Sequence, residues 1–342
     1  LTGQYSHRNG VRKLGDTFDG SRQTFPKLLQ RAGYQTAIVG KWHLRSQPTG
    51  FDYYNVLPGQ GRWIDPVMKE AGSAWKAEKG DETVFRGYTS DVITAQAIKW
   101  LDTRRDPARP FCLMVHHKAP HGPHVPAPRY AGLFADTVFP EPPTLQDDYG
   151  GRAPLATEDE LTWSRMRLCV YPEYRPELAR LKGAPRETAN STMYQNYMKG
   201  YLRLVAALDE NIGRLLEHLD ASGLGRNTLV IYTSDNGFFS GEHGFYNKMW
   251  MYEESLHVPL LARLPGRITA GSTTKEFGTM LDIAPTLLDY AGVAVPPDMQ
   301  GVSLKDVLEG RGGSVRQTIY YHYYSHGRGV PSMVGIRNAT HK

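Results

Sequence analysis

Short apolar stretches alternate with segments of helical periodicity along this chain, an order that is typical of α/β proteins. The longest periodic segment covers residues 192–220, where apolar side chains recur every three to four positions. The continuous apolar run at 228–233 predicts a buried strand of the kind found in parallel sheets. Further helices are predicted at 24–33, 89–104 and 280–290, and further strands at 34–39, 110–115, 258–264 and 318–324. Together these elements predict an α/β sandwich around a central, mostly parallel sheet.

Local composition marks where some elements begin and where regular structure stops. In the first helix Thr24 can act as the N-cap, Pro26 lies in the first turn and Gly33 closes the helix. Residues 126–190 are rich in Pro, Arg and Glu and show no sustained periodicity. We therefore expect this segment to be a loop-rich insertion on the side of the sheet that carries the functional site.

Composition narrows the class of protein. Of the 342 residues 40% are hydrophobic and 22% charged, and the mean hydropathy is −0.47, as in ordinary globular proteins. No apolar run approaches the ~18 residues that cross a bilayer. The net charge of +5 is spread along the chain, which suits an anionic substrate but is no signature of nucleic-acid binding. With only Cys112 and Cys169, a disulfide framework and a thiolate zinc site are excluded.

Clusters of polar residues follow three of the predicted strands, and a fourth cluster comes shortly afterwards. They are GKWH at 40–43, HHKAPH at 116–121, SDNG at 234–237, and GEHG at 241–244 followed by Lys248. The carboxyl ends of parallel strands meet at one edge of a sheet, where ligands bind in α/β proteins. We therefore expect these four clusters to lie close together.

Asp235 and Asn236 provide a carboxylate and an amide oxygen directly after a buried strand. Such oxygen ligands suit a hard cation such as calcium or magnesium. The amide favours calcium over zinc, because thiolate and imidazole ligands are missing from this pair. With Gly237, however, the same residues are also typical of an Asx turn that binds no metal.

Lys41 and His43 have the chemistry of an anion site. A lysine directly after a buried strand can hold an anion, and a neighbouring histidine can transfer protons near neutral pH. Each residue alone also fits an ordinary exposed surface position. The histidines at 116, 117, 121 and 124 follow no zinc-binding spacing, and some are expected to be structural. Considered together, the metal pair, lysines and histidines predict a site for phosphoryl or sulfuryl transfer.

These motifs resemble those of the type I sulfatases, which belong to the alkaline-phosphatase-like superfamily. Residues 33–43 are similar to the second signature of that family, and Ala119-Pro120-His121 to its middle histidine motif. Residues 233–237 and 241–244, with Lys248, resemble its C-terminal metal and sulfate segment. The resemblance implies an alkaline-phosphatase-like sandwich. It also implies that Asp235 and Asn236 are ligands of one calcium ion.

The resemblance further implies roles in binding and catalysis. Lys41 and Lys248 would hold sulfate oxygens, and His43 would orient the nucleophile. His121 would protonate the leaving alkoxide or touch the sulfate. His243 is a substrate-binding candidate.

The nucleophile of the family is a formylglycine, made from Cys or Ser in the motif Cys-x-Pro-Ser-Arg-x-x-x-Leu-Thr-Gly. A formylglycine-generating enzyme or an anaerobic sulfatase-maturing enzyme makes this residue and is therefore an expected partner. Leu1-Thr2-Gly3 resembles the end of that motif, which places the formylglycine upstream of Leu1. Cys112 and Cys169 are not followed by Pro-Ser-Arg and do not replace it. We therefore expect a fragment that lacks the nucleophile and is inactive alone.

The same resemblance divides the chain into two parts. Residues 1–310 would form the sulfatase catalytic domain without its N-terminal strand. Residues 311–342 would begin a small C-terminal subdomain whose terminal hairpin is truncated. By family analogy the complete protein would be periplasmic or secreted, with the signal upstream of this chain.

The substrate is suggested by three further segments. Residues 50–54, 57–61 and 248–255 resemble bacterial sulfatases that act on N-acetylglucosamine 6-sulfate in glycosaminoglycans or mucins. The aromatic run at 320–324 fits a strand that faces a sugar, with His322 as a substrate-binding candidate. Such a run is equally typical of any strand with high β-propensity. The resulting hypothesis is a calcium-dependent sulfuric ester hydrolase.

Two alternatives remain open. A phosphodiesterase or phosphonate monoester hydrolase of the same superfamily usually needs two transition metals and more ligands than the Asp235-Asn236 pair provides. A non-catalytic module would instead bind sulfated glycans through Lys41 and Lys248 without releasing sulfate. Its binding would be sensitive to salt.

Overall fold

The structure, a computed structural model, describes residues 1–72, 75, 83–151, 172–324 and 331–342. Its helices are α1 (Ser6–Asn9), α2 (Phe25–Arg31), α3 (Thr89–Thr103), α4 (Arg175–Arg180), α5 (Arg186–Ala221), α6 (Glu253–Leu256), α7 (Ile283–Tyr290) and α8 (Lys305–Leu308). Its strands are β1 (Gln35–Trp42), β2 (Tyr53–Pro58), β3 (Val67–Glu70), β4 (Thr83–Val84), β5 (Phe111–His116), β6 (Val230–Thr233), β7 (Phe239–Ser240), β8 (Tyr246–Asn247), β9 (Leu260–Arg263), β10 (Ile319–Tyr323) and β11 (Met333–Arg337). The mixture of helices and strands confirms the predicted α/β class.

The central sheet is built around β1. Its strand order is β4-β3-β2-β1-β5, and β1 runs parallel to both β2 and β5. β3 and β4 extend one side in antiparallel orientation. Ala37, Ile38 and Val39 of β1 are fully buried, as expected for a strand that is covered on both faces. The predicted central, mostly parallel sheet is therefore confirmed.

Helices pack on both faces of this sheet. Side chains of a strand alternate between its faces, and Ala37 and Val39 pack with Trp100 of α3 in one cluster. On the other face α2 and α7 pack around Leu288, in a cluster that includes Met114 of β5. Because both faces are covered, the edge formed by the carboxyl ends of the strands is left for a functional site.

The strand predicted at 228–233 forms as β6, but the prediction of a parallel neighbour was wrong. Within the described residues β6 pairs antiparallel with β9. Tyr232 of β6 is 36% exposed and Leu261 of β9 is 59% exposed, so this pair is only partly covered. An apolar run indicates that a strand forms, but it carries no information about the direction of the neighbouring strand.

The segment 126–190 is more helical than predicted. Its first part contains a short 3₁₀ helix at Pro128–Tyr130, and residues 152–171, including Cys169, lie outside the described residues. Residues 172–190 contain α4 and the first turn of α5, which begins at residue 186 rather than 192. Helical periodicity is recognised from apolar positions, and this polar stretch offers too few of them.

The end signals of α2 are partly confirmed. Pro26 lies in the first turn, and Gly33 follows the helix with a φ of +91°. Thr24 occupies the N-cap position, but its side chain makes no capping hydrogen bond. A threonine at the N-cap position supplies a hydroxyl oxygen that can accept a hydrogen bond from the helix. Thr24 is only 1% exposed, so the packing around its side chain decides whether that hydrogen bond forms.

β10 and β11 form an antiparallel hairpin that contacts α6 and the segment before it. The hydroxyl of Tyr321 donates to the carbonyl oxygen of Met249 over 2.7 Å, and Arg337 binds the Glu253 carboxylate with two hydrogen bonds of 2.9 Å. The division into residues 1–310 and 311–342 stays a prediction. Among the described residues, no helix combines the length and the hydropathy that a membrane span requires.

His124 connects the loop after β5 to the residues before α4. Its side chain is 4% exposed, and its Nδ1 lies 2.7 Å from the hydroxyl oxygen of Tyr174. Its backbone N–H donates to Oε1 of Glu173 over 2.6 Å, and its ring packs on Tyr197 with centroids 4.8 Å apart. Burial lowers the pKa of His124 to about 3, so the folded protein keeps this imidazole neutral.

The free energy of unfolding is expected to fall as the pH is lowered from 7 to 5. Below about pH 6.5 the unfolded chain takes up a proton on His124, whereas the folded protein does so only near pH 3. This difference lowers the free energy of unfolding by about 2 kcal/mol at pH 5. Urea unfolding at both pH values, for the unsubstituted protein and for His124→Asn, measures the contribution because Asn takes up no proton.

His257→Asn changes an exposed histidine and is the matched control. Its free energy of unfolding should fall between pH 7 and 5 as much as that of the unsubstituted protein. A His124→Asn protein that loses stability as steeply as the unsubstituted protein between pH 7 and 5 would contradict the buried neutral state.

Candidate active site

β1 ends in a close approach to β5 that positions the first predicted site residue. Gly40 has a φ of +107°, and a Cβ atom there would lie 2.1 Å from the carbonyl oxygen of His116, so only glycine fits. Lys41 follows, and its carbonyl oxygen lies 3.2 Å from Nδ1 of His116. Because a carbonyl oxygen only accepts, Nδ1 of His116 carries the proton. The ends of β1 and β5 are thereby joined next to a lysine that was predicted to bind sulfate.

The ammonium group of Lys41 is partly buried near two other charged groups. Burial lowers the pKa of Lys41, the carboxylate of Asp235 raises it and the ammonium of Lys248 lowers it. Burial, followed by the positive charges of Lys41, Arg45 and Lys248, also lowers the pKa of His43. These mutual effects place Lys41, His43, Asp235 and Lys248 in one site, as the clusters at the strand ends predicted.

Asp235 and Asn236 lie in a tight turn after β6. A Cβ atom on Gly237 would lie 2.2 Å from the carbonyl oxygen of Glu254, so the turn packs directly against α6. Nζ of Lys248 donates to Oδ1 of Asn236 over 2.6 Å, and Nδ2 of Asn236 donates to the carbonyl oxygen of Gly237 over 2.7 Å. These two hydrogen bonds direct the amide oxygen of Asn236 towards Lys248.

The oxygen atoms of Asp235 and Asn236 fit two positions of a calcium site. Calcium takes about six to eight oxygen ligands, so this pair supplies part of a coordination sphere. Within residues 1–72, 75, 83–151, 172–324 and 331–342, no group of three or more His, Cys, Asp or Glu side chains is arranged to hold a metal ion. Oδ1 of Asn236 accepts a hydrogen bond from Lys248, which uses one of its two lone pairs and leaves the other for a metal ion.

His121 lies in the loop that follows β5. Its Nδ1 lies 2.6 Å from the carbonyl oxygen of Gly122 and is therefore the donor, which leaves Nε2 for proton transfer. Burial and the positive charges of Lys41, Lys248 and Lys118 lower the pKa of His121 to about 4. The imidazole is therefore neutral at pH 7 unless a negative charge comes close to it.

His243 is fixed between two carboxylates. Its φ is +57°, its Nδ1 lies 3.4 Å from Oδ2 of Asp147, and its Nε2 lies 3.9 Å from Oε1 of Glu254. The ring also packs on Tyr252, with centroids 4.7 Å apart. These contacts join the insertion to α6, and the substrate-binding role of His243 stays a prediction.

His322 lies on β10. Its Nδ1 lies 3.1 Å from the hydroxyl oxygen of Tyr320, and its ring stacks on Tyr324 with centroids 3.6 Å apart. These contacts keep His322 within the aromatic run of β10. Its role in binding substrate also stays a prediction.

Two side chains of this site belong to the cluster at 116–121, but the sequence analysis assigned them no role. His116 binds the carbonyl oxygen of Lys41, and Lys118 is 3% exposed and contributes positive charge at His121. Their position after the predicted strand at 110–115 indicated a functional role, because ligands bind at the carboxyl ends of parallel strands. The burial of Lys118 could not be predicted, because lysines are usually exposed.

The fold and this group of lysines and histidines define an enzyme class that acts on a tetrahedral oxyanion ester. The model of the family described as Sulfatase matches residues 1–293. The chain therefore belongs to the sulfatase family, whose members are sulfuric ester hydrolases.

Known proteins resemble the chain over nearly all of its length. It is 43% identical to an N-acetylglucosamine-6-O-sulfatase of Bacteroides thetaiotaomicron over 386 aligned residues, which cover 100% of this chain and 68% of the relative. It is similar to the solved structure of BT4656 in complex with its substrate D-glucosamine-2-N,6-O-disulfate, with a TM-score of 0.89 and 43% identity over 99% of this chain and 76% of that one. The human N-acetylglucosamine-6-sulfatase is 26% identical over 96% of this chain and 59% of its own length. The chain thus spans only part of each relative.

Lys41→Met and Lys248→Met are each expected to raise the pKa of His121. Each substitution removes a positive charge that disfavours the imidazolium form. NMR titration of the His121 ring measures the change. Lys99→Met, which removes an exposed lysine of α3, should leave that pKa unchanged. An unchanged pKa of His121 in both site variants would show that the two lysines do not lie close to this ring.

Proposed function

We propose that this chain supplies the sulfate-binding and proton-transfer residues of a sulfatase that acts on a sulfated carbohydrate. The substrate would be N-acetylglucosamine 6-sulfate, or an N-sulfated form of it, within a glycosaminoglycan or mucin. The relative from Bacteroides and the substrate bound to BT4656 support this choice. The observation that carries the proposal is the gathering of Lys41, Lys248 and His121 beside Asp235.

Lys41 and Lys248 would stabilise the negative charge of the sulfate group. The ammonium group of Lys248 is held in place before a ligand arrives by its hydrogen bond to Asn236, and that of Lys41 is partly buried at the end of β1. Preorganised positive charge of this kind lowers the free energy of a transition state in which negative charge develops. Formylglycine would supply the nucleophile when present, and calcium bound by Asp235 and Asn236 would add further positive charge.

His121 would protonate the leaving alkoxide through Nε2. Its Nδ1 donates to the carbonyl oxygen of Gly122, which fixes the ring and leaves Nε2 for the sugar oxygen. A bound sulfate group offsets the charges of Lys41 and Lys248, and so raises the pKa of His121 towards neutrality. His121 would therefore gain its proton when substrate binds.

His43 would orient the nucleophile, since it lies in the same charged site. A formylglycine-generating or anaerobic sulfatase-maturing enzyme would be the partner that makes the nucleophile. Export to the periplasm or the medium would give the protein access to such glycans. His243 and His322 would contact more distant parts of the sugar chain.

Lys41→Met and Lys248→Met should each lower kcat by about 10²–10³-fold, because each removes preorganised charge from the transition state. Sulfate release from N-acetylglucosamine 6-sulfate, measured by ion chromatography on the full-length protein produced with a maturing enzyme, gives kcat. Lys99→Met is the matched control and should retain the unsubstituted rate. Near-normal kcat values for both site variants, or hydrolysis of phosphonate monoesters to a phosphonate and an alcohol in preference to sulfate release, would reject the proposed function.

Asp235→Asn should weaken calcium binding by about tenfold or more, because it removes the charged ligand of the pair. Calorimetric titration of the metal-free full-length protein with calcium measures the affinity. Asp136→Asn, at an exposed position of the insertion, is the control. An unchanged affinity for calcium in Asp235→Asn, or binding of two transition-metal ions in its place, would contradict the assignment of this pair.

A further inference from the structure

Lys118 is a buried cation with an unusual environment. Its side chain is only 3% exposed, and its ammonium nitrogen lies 4.8 Å from the ring centroid of Trp63. In the part of the chain that the structure describes, this ammonium group donates no hydrogen bond to an oxygen atom. A largely buried charge without a protein acceptor is unfavourable, and the face of an aromatic ring offsets only part of that cost. The ammonium nitrogen is not among the fully enclosed side-chain atoms that lack a partner, so water or a ligand can reach it.

Lys69 shows how the same fold satisfies another buried lysine. It is 6% exposed, and its ammonium nitrogen lies 5.4 Å from the ring centroid of Trp75. Unlike Lys118, it also donates a hydrogen bond of 2.8 Å to the carbonyl oxygen of Trp75. The environment of Lys69 is therefore complete, whereas that of Lys118 leaves its donors available to a ligand.

Lys118 lies beside the sulfate-binding residues. It lies two positions after the end of β5 and three before His121, and its charge contributes to the lowered pKa of His121. Burial, and then the charge of Lys41, lower the pKa of Lys118 itself to about 8, so it remains mostly charged at pH 7. Three lysines, at positions 41, 118 and 248, thus surround one histidine.

Trp63 holds Lys118 in a fixed position. The indole stacks on Tyr88 with centroids 5.7 Å apart and planes 16° apart. It belongs to a buried cluster that includes Ala119 and Leu204 of α5. The ammonium group of Lys118 is therefore preorganised, and little conformational entropy would be lost when a ligand binds to it.

The number of positive charges exceeds what one sulfate ester needs. A sulfate ester carries a single negative charge, and Lys41 and Lys248 already face it in the proposed function. We propose that Lys118 binds a second anionic group on the substrate sugar, distinct from the sulfate that is removed, and so selects doubly charged sugars. This inference rests on the proposed function and names a specificity-determining residue within it.

The test compares two substrates that differ by one anionic group. With glucosamine-2-N,6-O-disulfate, Lys118→Met in the full-length matured protein should raise KM by about 10- to 100-fold, with kcat changed much less. With N-acetylglucosamine 6-sulfate KM should change less than about threefold, and any change in kcat that arises from the charge at His121 should be the same for both substrates. The preference for the disulfate, measured as the ratio of the two kcat/KM values, should therefore fall.

Lys69→Met is the matched control, because it removes a lysine that is equally buried and also stacked on a tryptophan. It should leave the substrate preference unchanged. Lys118→Arg, which keeps the charge, should restore part of the preference. Thermal unfolding of each variant shows whether it is folded before kinetics are compared.

The outcomes separate this inference from the proposed function. Equal losses on both substrates, or an unchanged preference in Lys118→Met, would overturn the assignment of Lys118. If the unsubstituted protein releases no sulfate from either sugar, the proposed function fails. Calorimetric binding of glucosamine-2-N-sulfate, which lacks the 6-sulfate, then still decides the role of Lys118: weaker binding to Lys118→Met supports it, and equal binding overturns it.

Discussion

The site depends on keeping like charges close together in a partly buried place. Lys41, Lys118 and Lys248 all add positive charge at His121, and burial weakens the screening of these charges by water. Their mutual repulsion opposes folding, so the surrounding structure must hold them in position. Asp235 is a carboxylate whose charge acts in the opposite direction at Lys41. An anion that binds beside Lys41 and Lys248 converts repulsion into attraction, which is the physical basis of the proposed binding of a sulfate ester.

Each lysine is held by a different element, and this makes the arrangement rigid. Lys41 follows Gly40, where β1 approaches β5 too closely for any side chain. Lys118 is fixed by the indole of Trp63, and Lys248 by the amide oxygen of Asn236. In a preorganised site the energetic cost of bringing the positive charges together is met during folding and not during the reaction step. The ends of β1 and β5 meet at one edge of the central sheet and position Lys41 and Lys118. Lys248 follows β8 and binds the segment after β6, and neither strand belongs to that sheet in the described residues.

The central sheet could be predicted because strands buried on both faces have a simple signature. The run at 35–40 is apolar or small at nearly every position, and β1 forms there. The direction of β6 could not be predicted, since pairing partners depend on distant segments. The start of α5 was missed because its first turns are polar.

The site likewise combines residues that could be predicted from local sequence with contacts that could not. Lys41, His43, Asp235 and Lys248 could be found because they follow strands in motifs that resemble those of a known family. The environment of His243 was not predictable, because Asp147 reaches it from an insertion without periodicity. The burial of Lys118 depends on Trp63, which lies far from it in sequence. Local sequence indicates which residues carry chemistry, whereas tertiary packing decides which of them lack a partner.

The central claim is that Lys41 and Lys248 bind a sulfate anion beside His121. The most direct measurement is an NMR titration of the His121 ring with and without saturating inorganic sulfate, at constant ionic strength. A sulfate ion held between Lys41 and Lys248 should raise the pKa of His121 from its low value near 4 towards neutrality. A pKa of His121 that is the same with and without sulfate would contradict the account.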